Sequence, residues 1–88
     1  MTSARRFLKV MSRIEANDLV SIDDFEESFD TIHRFEDMTQ RLLLFGLPTS
    51  ADFKTLSKRL EECATYRIKL ITLLALFQQK NENNNQCG

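Results

Sequence analysis

A heptad seam in the C-terminal half constrains this chain more than any other feature. From Ser50 to about Lys80, apolar residues recur at Phe53, Leu56, Leu60, Cys63, Leu70, Leu74 and Phe77, with spacings of 3, 4, 3, 7, 4 and 3. The gap of seven resolves into 4 and 3 if Arg67 takes the missing seam position. A pattern repeating every 3.5 residues over more than three heptads specifies a long helix laid against another helix.

The partner helix lies upstream. Ser21 with Asp24 three residues on is an N-cap signature, and Val20 stands where a staple residue would. Asp23, Asp24, Glu26 and Glu27 follow in the first turns, where the helix dipole favours negative charge. The second helix then runs from Ile22 to about Phe45, with a seam of Ile22, Phe25, Phe29, Ile32, Glu36, Thr39 and Leu43. Gly46 supplies a C-cap, Pro48 blocks continuation, and Thr49 or Ser50 caps the third helix.

So short a loop makes the two long helices antiparallel neighbours. Folding about Leu47-Pro48 places Leu43 near Phe53, Thr39 near Leu56 and Ile32 near Cys63. It also places Phe25 near Leu70, Ile22 near Leu74, and Phe29 near Arg67. Arg67 and Phe29 are therefore expected to set the register, the guanidinium stacking on the ring and pairing with Glu26 or Asp30. Glu36 and Thr39 read as further polar layers of the seam.

A short basic helix over residues 3–16 precedes this hairpin. Phe7, Met11 and Ile14 form its apolar stripe, flanked by Leu8 and Val10, and Asn17-Asp18 breaks it. It is the natural cover for the second half of the third helix, where Ile68, Ile71 and Leu76 add to the seam. About 14 residues at 1.5 Å reach some 21 Å, which spans the zone from Lys80 back to Tyr66. The expected fold is all-α: an antiparallel hairpin of two long helices with the short helix packed on its closed end. The three form one bundle domain over residues 1–80, and the Asn-rich tail, residues 81–88, reads as disordered.

Charge supports this arrangement. Residues 1–13 carry four basic groups and no acid; residues 15–37 carry nine acids against Arg34 alone. Residues 41–80 carry seven basic groups against three acids. An acidic segment between two basic ones fits elements lying side by side. The net charge of −1 argues against general nucleic-acid binding, which needs a basic excess.

Chemistry is sparse. His33 is the sole histidine, with no second ligand at metal spacing, and Cys63 reads as a small core residue. The carboxylate pairs Asp23-Asp24, Glu26-Glu27 and Glu61-Glu62 sit in first turns or on solvated faces rather than as acid–base pairs. No Gly-rich phosphate loop is present. No enzyme, metal or cofactor is expected. Cys63 and Cys87 make no disulfide framework, and no signal peptide is recognised. The expectation is an intracellular protein, cytoplasmic or nuclear, with no stable membrane insertion.

What remains is a surface. The hairpin tip collects Phe35, Met38, Leu42, Phe45 and Leu47, with Leu44 nearby, rimmed by Arg41 and Lys58. Exposed apolar and aromatic residues ringed by cations fit a binding site for a helical protein partner or a second copy. The expected function is a non-enzymatic interaction module, a subunit or adaptor of a larger assembly. The alternative is a mitochondrial or membrane-surface factor whose acid-free basic N-terminal helix is a presequence or lies on lipid.

Overall fold

The computed structural model describes residues 2–46 and 49–87, with side chains described for 4–46 and 49–80. It is a three-helix bundle made of α1 (Thr2–Glu15), α2 (Ile22–Phe45) and α3 (Ser50–Cys87). The most extensive packing joins α2 to α3, and α1 lies against both. No strand occurs among the described residues. The molecule is a rod of 58 × 20 × 20 Å, its long dimension set by the 38 residues of α3.

Local chemistry fixes each helix end. Asn17 takes the left-handed conformation, φ 53°, which Asn tolerates better than most residues. The Asn17 amide then donates to the Ile14 carbonyl at 3.1 Å and the Asp18 amide to Arg13 at 2.9 Å. This is a Schellman closure with Asn in the usual glycine place. At the start of α2, Ser21 Oγ accepts from the Asp24 amide at 3.2 Å, and Asp24 Oδ2 accepts from the Val20 amide at 3.0 Å. Arg13 adds an ion pair to Asp24 at 3.3 Å, tying the end of α1 to the first turn of α2.

The staple residue is Leu19, not Val20. With its amide turned to Asp24, Val20 points its side chain to solvent, while Leu19 is buried. Thr49 caps α3 by accepting from the Asp52 amide at 3.2 Å. Gly46 closes α2 by donating to Leu42 at 3.0 Å, and a Cβ there would stand 2.6 Å from that carbonyl oxygen. Pro48 lies outside the described residues. The α3 backbone is helical to Cys87, past the expected end at Lys80, since no Gly or Pro intervenes before Gly88. The side chains of the expected disordered tail, residues 81–88, lie outside those described.

The core joins Phe7, Val10 and Ile14 of α1 to Phe25, Ile32 and Phe35 of α2 and Cys63 and Leu70 of α3, with Leu19 from the linker. Phe7 stacks on Phe35 with ring centroids 4.3 Å apart and planes 11° off parallel. Phe25 meets Phe77 at 5.3 Å. Buried Thr39 satisfies its hydroxyl on the Phe35 carbonyl at 2.8 Å, so that polar seam position leaves nothing unpaired.

The position of α1 along the hairpin differs from expectation. Glu15, at its C-terminal end, already lies level with Tyr66 and Lys69. The level of Leu73 to Lys80 is occupied by the linker residues Asn17, Leu19 and Val20. Reversing the chain between Glu15 and Ile22 uses axial length that the sequence reading did not allow for. The whole of α1 is thereby displaced toward the hairpin loop, which brings Phe7 over Phe35.

A second correction follows. Ile68, Ile71 and Leu76 were expected beneath α1, yet they are 65, 53 and 56% exposed. The α1 helix contacts α3 along Tyr66, Lys69 and Leu73. At about 100° per residue, positions 68 and 71 stand roughly 100–160° around α3 from Leu70 and Leu73. One short helix covers one flank, and the other stays open.

Candidate interaction site

The hairpin tip is built from the last turn of α2 and the first turns of α3. Phe45 is 80% exposed, Leu44 71%, Phe53 54% and Leu42 43%. Beside them a cleft of about 280 Å³ is lined by Leu42, Gly46, Asp52, Thr55 and Leu56. These side chains stay in water because both helices end here and α1 stops short. Burying a Phe or Leu side chain contributes about 1.5–3 kcal/mol, so a partner covering this surface has substantial apolar area to gain.

The expected site residues separate into two groups. Leu42 and Phe45 are brought together at the tip, and Arg41 stands beside them, ion-paired to Asp37 at 3.2 Å. Lys58 is exposed on α3, just beyond the cleft. Leu47 lies outside the described residues. Phe35 does not belong to the tip: it is 6% exposed beneath Phe7. Met38 packs against the same core. Phe35, Met38, Leu42 and Phe45 follow one another at helical spacing beside the seam; the displaced α1 takes Phe35 and Met38 into the core and leaves Leu42 and Phe45 open.

Phe53 was assigned to the seam and is instead part of the exposed surface. The signal was present in its position, because the first seam residue after a loop has no helical turn beyond it to close over it.

Arg67 also differs from expectation. Its guanidinium donates to Glu36 Oε1 at 2.7 Å, not to Glu26 or Asp30. No cation–aromatic contact joins it to Phe29 among the described residues, and Phe29 packs against the core by itself. Side chains lean toward the N-terminus of their own helix. Across an antiparallel pair, partners therefore meet with the α2 residue nearer the loop and the α3 residue farther from it. Arg67 with Glu36, Phe77 with Phe25, and Leu56 with Leu42 all depart from the expected levels in that sense. Arg67 and Glu36 thus form one polar layer of the seam. The Glu36 hydrogen bond raises the Arg67 pKa against an opposing desolvation.

Cys63 is fully buried beside this pair. Burial first, and then the charge of Glu36, push its thiol up to about 11. Since the thiolate is the nucleophile, Cys63 is chemically quiet. No group of three His, Cys, Asp or Glu residues at metal-holding distance occurs among the described residues. No described helix is long and apolar enough to cross a membrane.

The remaining polar cluster is structural. Glu15 Oε1 accepts from Tyr66 OH at 2.7 Å and from Lys69 Nζ at 2.9 Å, and the Lys69 ammonium lies 5.0 Å from the Tyr66 ring centre. These bonds hold the carboxyl of Glu15 below its usual range and raise both partners. They fasten the end of α1 to α3. No family model matches this chain, nor does any of the curated proteins or solved structures compared with it.

Proposed function

We propose that this chain is a non-enzymatic protein–protein interaction module, a small helical subunit or adaptor that works inside the cell. Its hairpin tip binds a helical partner or a second copy. The observation that carries the reading is the exposure of Phe45, Leu44, Phe53 and Leu42 around one cleft at the end of the rod. Apolar and aromatic surface of this kind, with cations close by, fits a groove for the apolar stripe of a helix.

The alternative of a membrane-surface or presequence role for α1 has less support. Phe7, Val10 and Ile14, the residues that would enter lipid or a receptor groove, are spent in the core.

The test is capture of partners by tagged full-length protein, quantified by mass spectrometry, beside Phe45→Asp. The variant should lose the enriched partners while its circular dichroism and melting stay those of the parent. Retention of every partner by Phe45→Asp, or unfolding of the variant, would overturn the assignment of the tip.

A further inference from the structure

A second uncovered surface runs along the side of α3 and meets the tip only at Phe53. At helical spacing it follows Phe53, Ser57, Leu60, Ala64, Ile68, Ile71 and Ala75. All are exposed except Ser57 and Leu60, which are half-buried. The steps of 4, 3, 4, 4, 3 and 4 keep these residues within a band about 80° wide. The band holds no charged side chain, and its large apolar members Phe53, Ile68 and Ile71 are 54, 65 and 53% exposed.

We propose that this stripe is the seat of an antiparallel, two-fold homodimer in which α3 of one copy packs on α3 of another, crossing at Ala64. Reversing the stripe about Ala64 sets large against small along its length. Phe53 falls opposite Ala75 of the second copy, Ile71 opposite Ser57, and Leu60 opposite Ile68, with Ala64 meeting itself at the axis. A small residue at the crossing permits close approach, and interdigitation of large with small side chains is what dense helix packing requires. An isologous contact needs this self-complementarity, and an arbitrary apolar stripe would not show it.

Charge and area are compatible. In the same register Lys54 comes level with Leu74 of the second copy, Lys58 with Leu70 and Glu61 with Arg67, so no like charges face each other within the stripe. A net charge of −1 imposes little self-repulsion. From Phe53 to Ala75 the contact is about 33 Å long. Covering such a helix face removes roughly 600–700 Å² per copy, at the lower end of specific interfaces. Phe53 is the one residue this surface shares with the tip, so either assignment can fail alone.

The test uses the full chain. Sedimentation equilibrium should show a monomer–dimer equilibrium, and Ile68→Asp should raise the dimer Kd at least about tenfold with an unchanged helical spectrum. In a Cys87→Ser background, Ala64→Cys should oxidise to a disulfide-linked dimer, because the axis brings the two Cβ atoms within bonding reach. Ile71→Cys alone should cross-link poorly, and mixed with Ser57→Cys it should link efficiently. The background variant, retaining buried Cys63, should not link. A chain that stays monomeric at every concentration overturns the proposal and leaves the tip reading intact. So does a dimer that survives Ile68→Asp, or one that links through Phe45→Cys but not Ala64→Cys.

Discussion

Two phenylalanines ten residues apart on α2 should respond very unequally to the same truncation. Phe35 is 6% exposed and stacked on Phe7; Phe45 is 80% exposed. Phe35→Ala removes a buried ring and leaves a cavity, a loss of about 3–5 kcal/mol, of which the stack accounts for about 0.5–1.5. A domain of this size has about 5–15 kcal/mol in total and loses about 4–8 °C in Tm per kcal/mol. Even the lower figure implies a fall of some 12–24 °C. Phe45→Ala forfeits only the fifth of its surface that is buried, about 1 kcal/mol or less. Urea denaturation followed by circular dichroism measures both. A double-mutant cycle with Phe7→Ala should return a coupling of at least about 0.5–1.5 kcal/mol. Equal costs at Phe35 and Phe45, or a coupling near zero, would refute the placement of α1 over the hairpin.

Other perturbations test the remaining contacts. Deleting residues 1–16 removes Phe7, Val10 and Ile14 from the core, about 4.5–9 kcal/mol at 1.5–3 each, and should leave an aggregating or unfolded chain; a truncated protein that melts like the parent would refute that role. Arg67→Leu should cost about 1 kcal/mol or less, because Glu36 is partly exposed and turns to water. Its effect should instead be mixed oligomers in sedimentation, and a strongly destabilised but monodisperse variant would contradict this. Asp24 is held low chiefly by the Val20 amide, with Arg13 assisting against desolvation, and Glu15 by Lys69 and Tyr66. Carboxyls with lowered folded-state pKa values stabilise fully above the ordinary carboxylate range and lose that contribution as pH falls through their folded values. Acid titration of the melting temperature should therefore steepen below about pH 4, and Asp24→Asn should flatten that limb.

Much of the fold was legible because local chemistry marked the helix ends. Ser21 with Asp24, Asn17 and Thr49 are each a short-range device whose partner lies within five residues. The seam likewise identified Phe25, Ile32, Cys63 and Leu70 as core. Periodicity carries no information on how much axial length a reversal consumes, and that quantity decided where α1 sits. Phe35 and Phe45 share one sequence stripe, and only the resting place of Phe7 separates them. Ile68 and Ile71 were assigned cover because an apolar face requires some, but the requirement does not specify whose. Levels along a hairpin are also not contacts: the lean of long side chains moved Arg67 from Phe29 to Glu36.

The bond from Tyr66 to Glu15 closes a separation of 51 residues, and that distance bears on the order of assembly. Hairpins α1–α2 and α2–α3 each close through a short connection between neighbouring helices, so α2 takes part in both early events. Loop closure costs more for longer separations, though only about 0.6 kcal/mol per doubling. Once either hairpin exists, the span from Glu15 to Tyr66 is no longer a loop of free chain. Contact between α1 and α3 is then a docking step between preformed pieces, and a topology of such local closures belongs to the fast-folding class.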